Sequence, residues 1–262
     1  MMEQNIAHGF SLQLLLGAAV FVGARVSGLM VFCPFLSSDA IPLRLKAVIT
    51  VVLTALLYPL HGPLQLDLDS WRWVSIALSE VVIGLILGLV ANFMMEAPMM
   101  AGQILGVQMG YSLATLFDPQ TQADTPVLAE FHRLAALLIF LQLNVHHWIL
   151  HAVVRSFSYL PAGMAAATYA SVIGLLHASA GVFLAGVQIA APGLVATLVA
   201  DVALGFLGKA SPQLPVLFIG LAVKNLLGLA VMIAVIAYWP HSFSDRFADG
   251  ISLAERLLHL AR

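Results

Sequence analysis

The sequence predicts an all-α integral membrane protein with about six apolar helical runs. Of its 262 residues, 61% are hydrophobic and only 9% are charged, whereas ordinary globular chains carry about 25% charged residues. Six apolar stretches reach or approach the roughly 20 residues that are needed to cross a bilayer core. They lie at about 10–32, 45–60, 74–95, 134–151, 172–200 and 216–239.

Turn-forming residues separate these runs in chain order. Proline removes a backbone donor and glycine is conformationally permissive, so both are typical of helix ends. The predicted breaks are Pro34 with Pro42, His61-Gly62-Pro63, Pro98, Asp118-Pro119 with Pro126, Pro161-Ala162-Gly163, and Ser211-Pro212 with Pro215. The first run contains Arg25 and follows Glu3 rather than basic residues, so we expect a retained helix and not a signal peptide.

Charge and cysteine content exclude several classes of protein. A net charge of −2, with acids and bases scattered, leaves no basic patch for nucleic acid. The single cysteine, Cys33, excludes an internal disulfide and is expected to be a small buried hydrophobe. The sequence has no nucleotide-binding or redox motif, so no cofactor is predicted, and any transport must be driven by a partner or by a gradient.

Charged residues lie well inside three of the apolar runs: Arg25, Glu80 and Lys224. A charged side chain at the centre of a membrane helix costs about 2.5–3.5 kcal/mol on insertion scales. We expect these charges to pair within the fold or with a partner, or to reach a helix end. Two alternatives stay open, an ion or proton relay and burial of these runs mainly in protein. The spacing Gly84-x-x-x-Gly88 favours burial in protein, because it is typical of closely packed helices.

A polar segment at 102–126 stands between the third and fourth apolar runs. Small residues recur there every four positions, at Gly102, Gly106, Gly110 and Ala114. On a helix this ladder permits the close approach of another backbone. The segment also carries amides and hydroxyls, with positions 108, 112 and 115 on one helical face. We therefore expect it to pack against protein on one side and to face a wet space on the other.

The histidines of the fourth run invite a metal hypothesis. Asn144 precedes His146 and His147, and His151 follows His147 by one helical turn. Two histidines supply only half of a closed zinc site, which needs four ligands. We therefore predict no metal and expect hydrogen-bonded histidines at an interface.

The residues also bear on two further functions. Gly110-Tyr111-Ser112 faintly resembles a nucleophile turn, but such a turn needs a second glycine where Ala114 stands. No catalytic residue is therefore predicted, and the protein is predicted not to be an enzyme. A self-contained secondary transporter of a small solute is the main alternative function, although it would need inverted repeats that the two halves do not show convincingly.

In their order and spacing, the motifs match one known family. The most specific are Glu80-x-x-x-Gly84-x-x-x-Gly88, Gly102-Gln103-x-x-Gly106-x-Gln108-x-Gly110 and Ala114-Thr115-Leu116-Phe117-Asp118-Pro119-Gln120. Supporting matches are Arg25 with Gly28 and Pro34, Pro42-x-Arg44, Asn144-x-His146-His147, Pro192, Gly205, Pro212-Gln213-Leu214 and Lys224-x-x-x-Gly228. Over about 10–240 the chain resembles the FliR family, the R subunits of the flagellar type III protein export gate, within the superfamily that includes SpaR-type injectisome subunits. Pro215 departs from the family, in which many members have asparagine.

The resemblance implies a non-catalytic role. Members join P and Q subunits in a spiral hetero-oligomeric pore assembly of helical hairpins, through which unfolded export substrates enter. Contacts with membrane lipid, with the large export-gate subunit and with the B-type subunit are further expectations. The implied location is the bacterial inner (cytoplasmic) membrane, in the flagellar basal body, with part of the assembly on the periplasmic side of the membrane plane.

The resemblance also implies a division of the chain. Residues 1–170 would form a P-subunit-like helical portion that includes a pore-facing plug segment around 102–126. Residues 171–240 would form a Q-subunit-like helical hairpin, and 241–262 would form a polar, amphipathic tail.

Two sets of residues are the resulting site candidates. Those expected to face or plug the pore are Gly106, Gln108, Met109, Gly110, Tyr111, Ser112, Thr115, Phe117, Asp118, Pro119 and Gln120. Those expected to pack helices or support assembly are Arg25, Glu80, Gly84, Gly88, Gly102, Gln103, Asn144, His146, His147 and Lys224.

Overall fold

The described part of the chain is almost entirely α-helical. The computed structural model describes residues 2–38, 41–60, 70–111, 127–161, 169–211, 213 and 215–260. These residues form eight α-helices, one short 3-10 helix at Tyr58–Leu60 and no strand. The α-helices are α1 (Met2–Phe32), α2 (Leu43–Leu57), α3 (Ser70–Gln108), α4 (Val127–Gln142), α5 (Val145–Tyr159), α6 (Tyr169–Ala210), α7 (Val216–Ile236) and α8 (Trp239–Leu260). The all-α prediction is confirmed.

Three helical segments in the described part of the chain are long and apolar enough to cross a membrane. They are Trp71–Gln108, Ile173–Ala210 and Phe218–Ile236. At about 1.5 Å per residue, α3 and α6 extend about 58 and 63 Å, roughly twice the thickness of a bilayer's hydrocarbon core. The prediction of an integral membrane protein is thereby confirmed.

The sequence indicated one helix for the fourth apolar run, 134–151. The structure shows that this prediction is wrong. The run is divided between α4 and α5, and Asn144 stands at the break with a left-handed backbone (φ 54°). Asparagine visits this conformation more readily than most residues because its short polar side chain bonds locally. Gln142, Asn144 and His146 are polar residues around the break, but residue type alone does not show that the backbone turns there.

Pro98 does not separate two elements, contrary to the sequence-based expectation. It lies inside α3, which runs without interruption from the third apolar run into the polar segment. Pro192 likewise lies inside α6. Apolar helices tolerate proline when neighbouring elements and local adjustments satisfy the backbone groups that it frees. The second predicted run, about 45–60, corresponds to α2 and the 3-10 helix that follows it.

The first of two compact units comprises Met1–Asn92, Asn144–Ala178 and Phe247–Arg262. Within it, α1 and α3 pack backbone against backbone. A Cβ atom on Gly28 would overlap the carbonyl of Val81, and one on Gly84 would overlap the carbonyl of Arg25. A Cβ atom on Gly88 would lie 2.6 Å from the carbonyl oxygen of Leu29. These three glycines therefore make the close crossing of α1 and α3 possible.

The second unit comprises Phe93–Leu143 and Ser179–Arg246. Its core cluster joins α3, α4 and α6 through Ala101, Leu105, Met109, Leu128 and Ala190. The segments of the two units alternate along the chain. Their boundaries therefore differ from the domain boundaries at 170 and 240 that the resemblance implies. That division concerns likeness to P and Q subunits, and it stays a prediction.

The predicted amphipathic tail is helical. It forms most of α8, a 22-residue helix. Buried side chains recur along it at Trp239, Phe243, Phe247, Ala254 and Leu257. This spacing places them along one face of the helix, with polar residues elsewhere.

We predict that Gly84→Ala destabilises the protein. The added methyl group would meet backbone atoms of α1, which cannot rotate away, so the free energy of unfolding should fall by about 1–3 kcal/mol. Gly181→Ala on α6 is the matched control, because a Cβ atom there meets nothing within 4 Å. Thermal unfolding of the two purified variants in detergent tests this, and equal midpoints would contradict the close-crossing argument.

Candidate functional site

Arg25 and Glu80 form an ion pair in the interior of the first unit. The two side chains are 0% exposed, and Nη2 of Arg25 lies 2.6 Å from Oε2 of Glu80. Nε of Arg25 donates to the same oxygen at 2.7 Å. Of the alternatives left open by the sequence for these two charges, the structure shows pairing within the fold.

Helix α5 supplies the other partners of Arg25. Nη1 donates to Oγ of Ser156 at 2.8 Å, and Nη2 donates to the carbonyl oxygen of Leu160, just beyond the helix, at 2.9 Å. The ring of Phe157 lies under the guanidinium group, with its centroid 3.7 Å from Cζ. A buried charge is costly unless it is paired and hydrogen-bonded. One arginine therefore holds α1, α3 and α5 together, and Ser156 and Leu160 are partners that the sequence analysis did not identify.

The polar segment begins as helix and then turns. Helix α3 ends at Gln108, and Gly110 adopts a left-handed backbone with φ 86°. The Tyr111 N–H donates to the Gly106 carbonyl at 2.9 Å, and the Gly110 N–H donates to the Val107 carbonyl at 3.1 Å. This pair of bonds is the Schellman arrangement that ends many helices. The expectation of one helical ladder from 102 to 114 is therefore wrong, because Gly110 terminates the helix.

The glycines of the polar segment consequently have different roles. Gly102 is buried and lies against the backbone of α4, where an added Cβ atom would be 2.5 Å from the carbonyl oxygen of Leu128. Gly106 is buried within the last turns of α3, and Gly110 permits the turn. Gly102 thus has the close-packing role that the ladder predicted.

Gln108 lies beside a carboxylate that the sequence analysis did not single out. Its Nε2 donates to Oδ2 of Asp201 on α6 at 3.0 Å. Lys224 on α7 binds the other oxygen, with Nζ 2.8 Å from Oδ1. The side chain of Asp201 is 40% exposed and that of Lys224 is 19% exposed. The sequence predicted that the fifth run ends at about residue 200. Because Asp201 lies just beyond that end, it was not identified as the partner of Lys224.

Met109 follows Gln108 and packs on α7. It is almost fully buried. A Cβ atom on Gly228 would lie 2.6 Å from its Sδ. The methionine therefore occupies space that exists because residue 228 is glycine.

The remaining candidates are placed as follows. Tyr111 packs against the core cluster of the second unit, and Gln103 is half-buried on α3. His146 and His147 begin α5 with ring centroids 4.2 Å apart. Within the part of the chain that is described, no group of three or more His, Cys, Asp or Glu side chains is arranged to hold a metal. Six candidates lie outside the described residues: Ser112, Thr115, Phe117, Asp118, Pro119 and Gln120.

Comparison with known proteins identifies similar sequences. The family described as bacterial export proteins, family 1, matches residues 16–250. The flagellar biosynthetic protein FliR of Escherichia coli K12 is 32% identical over 235 residues, which cover 87% of this chain and 90% of that protein. The protein of the same name from Bacillus subtilis is 29% identical over 82% of this chain and 85% of its own length. That of Caulobacter vibrioides is 27% identical over 88% and 93%.

We predict that Arg25→Met lowers the free energy of unfolding by about 3–5 kcal/mol, because it leaves Glu80 buried without a counter-charge. The double variant Arg25→Met/Glu80→Leu should recover part of this loss, since it removes both charges together. Unfolding of the variants in detergent measures the difference. A double variant less stable than the single variant would show that pairing is not what the two side chains contribute.

We predict that Gly110→Ala weakens the turn after α3 more than Gly110→Asn does. A left-handed backbone costs most residues roughly 1–2 kcal/mol, and asparagine adopts it more readily. The measurement is hydrogen exchange of the Tyr111 amide, which donates to Gly106. Exchange should be fastest in the alanine variant, and equal rates in both variants would contradict the assigned turn.

Proposed function

Because this chain belongs to the bacterial export proteins, family 1, we infer that it is a membrane subunit of the flagellar type III export apparatus. The family matches almost the whole chain, and relatives named flagellar biosynthetic protein FliR cover most of it. Membership implies association with other components of that apparatus. A self-contained solute transporter has no support from these comparisons.

Within the apparatus we propose that the chain forms part of the pore and its gate. The observation that supports this most directly is the end of α3. There the mainly apolar α3 ends at a polar residue, Gln108, and a terminating turn follows. A helix that ends in a hydrogen-bonded amide beside a partly exposed carboxylate is suited to a wet boundary rather than to lipid. We propose that this boundary lies within the plug segment, around 102–126.

The proposed direct partners are the P and Q subunits of the gate. Helices α6 and α7 each carry a row of large apolar side chains that are more than half exposed: Val195, Leu198, Val202, Phe206, Phe218, Leu226 and Ile233. Contiguous exposed apolar side chains mark contact with other proteins or with lipid. Residues 171–240 would be the Q-subunit-like hairpin in this arrangement, and 1–170 the P-subunit-like portion.

Several finer features belong to the same proposal. The chain would be non-catalytic and would act by lining and closing a passage for unfolded flagellar proteins. It would lie in the bacterial inner membrane within the flagellar basal body, with part of the assembly on the periplasmic side. The large export-gate subunit and the B-type subunit would be further neighbours.

One experiment tests assembly and plugging together. The chain is co-expressed with the P and Q subunits of its own organism, and the detergent-extracted complex is examined by native mass spectrometry. Ion leak through the membranes is then compared for the wild-type chain and for a variant whose residues 112–120 are replaced by a glycine-serine linker of equal length.

We expect a hetero-oligomer that contains this chain and a higher leak in the linker variant. The physical reason is that a flexible linker has no fixed position across the passage. Cells that lack this chain provide the baseline for leak. Recovery of the chain alone would contradict the proposed partners, and an unchanged leak in an assembled complex would contradict the plug.

A further inference from the structure

Asp201 joins three helices of the second unit at one point. We propose that it is a positioning residue that holds the end of α3 in its closed position through Gln108, with Lys224 keeping the carboxylate in place. The inference rests on the proposed function, since it names the contact by which the gate is kept closed. It concerns only described residues, from Leu105 to Tyr111 on one side and α6 and α7 on the other.

The two oxygens of the Asp201 carboxylate have different donors. Oδ2 accepts from Nε2 of Gln108 at 3.0 Å, and Oδ1 lies 2.8 Å from Nζ of Lys224. Each oxygen thus has its own partner on a different helix. If the carboxylate were moved or removed, both contacts would be lost together.

The two donors differ in how readily they can leave. Lys224 is a mostly buried charge on an apolar helix, so its separation from a carboxylate would be costly. Gln108 is neutral, and its departure would leave Asp201 still paired with Lys224 and partly exposed. Gln108 is therefore the contact that can be released, whereas Lys224 and Asp201 form the fixed part of the site.

Apolar contacts hold the rest of the α3 end in place. Leu105 packs where Gly193 lacks a side chain, with Cδ2 2.7 Å from the position of a Cβ atom there, and Met109 packs in the same way over Gly228. Such contacts are non-directional and tolerate small shifts, particularly at a flexible methionine. The hydrogen bond from Gln108 is directional. It therefore selects one position of the α3 end among those that the apolar contacts permit.

The test uses the chain assembled with its P and Q subunits in membranes. Three variants are compared: Gln108→Leu, the pair Asp201→Leu/Lys224→Met, and all three changes together. The pair removes both charges at once, which avoids leaving one of them buried alone. Gln142→Leu on α4 is the matched control, because it makes the same chemical change at an exposed site. Native mass spectrometry confirms that each complex is assembled, and ion leak is the functional measurement.

We expect Gln108→Leu to raise the leak by about tenfold or more, since a hydrogen bond to a charged group shifts an equilibrium by at least that factor. The pair variant should leak to a similar extent, and the triple variant should leak no more than the pair. Gln142→Leu should match the wild type. This lack of additivity, in an assembled complex, is a result that a merely structural role of Asp201 would not produce.

Three outcomes would overturn the inference. If the Gln108→Leu variant shows the ion leak of the wild type while replacement of 112–120 raises it, the positioning role is wrong and the proposed gate function stands. If the triple variant leaks by the product of the separate effects, Gln108 does not act through Asp201. If neither Gln108→Leu nor the 112–120 replacement leaks, the gate function fails and the inference fails with it.

Discussion

The buried ion pair between Arg25 and Glu80 is the contact on which the first unit depends. Both charges are fully shielded from solvent, so each would be strongly destabilising without the other. The pair can form only if α1 and α3 approach closely, and glycines provide that approach. Glu80, Gly84 and Gly88 are spaced by four residues and share one face of α3. The glycines permit the short distance between the helices, and the charges stabilise it.

The second unit uses a carboxylate in a different way. Asp201 is partly exposed and has two partners of unequal strength, the ammonium group of Lys224 and the amide of Gln108. Around it the contacts are apolar and adaptable, with Leu105 and Met109 seated over glycines. A fully buried, fully bonded charge suits a fixed scaffold, whereas a partly exposed acceptor with one neutral donor suits a contact that must release. The two units thus pair their buried and partly exposed charges differently in a chain with only 9% charged residues.

Much of the architecture was predictable because membrane helices are governed by hydrophobicity. The apolar runs indicated α3, α6 and α7 as spans, and the charges inside apolar runs indicated internal pairing, which the structure shows. Helix ends were predicted less well. Pro98 was expected to interrupt a helix and does not, while Asn144 separates two helices within the predicted fourth run. Residue type biases the backbone at such positions, but the packing of neighbouring helices decides which bias prevails.

Composition and spacing alone determined the class of protein, its helical runs and the motifs that mark its family, because these depend on local hydrophobicity and on residue order. Only the tertiary structure decided which partner each polar group has. Glu80 is 55 residues from Arg25 along the chain, and Ser156 is 131 residues away. Gln108 is 93 residues from Asp201. Such pairings follow from how helices cross, and crossing depends on the shapes of whole helix faces rather than on any local pattern.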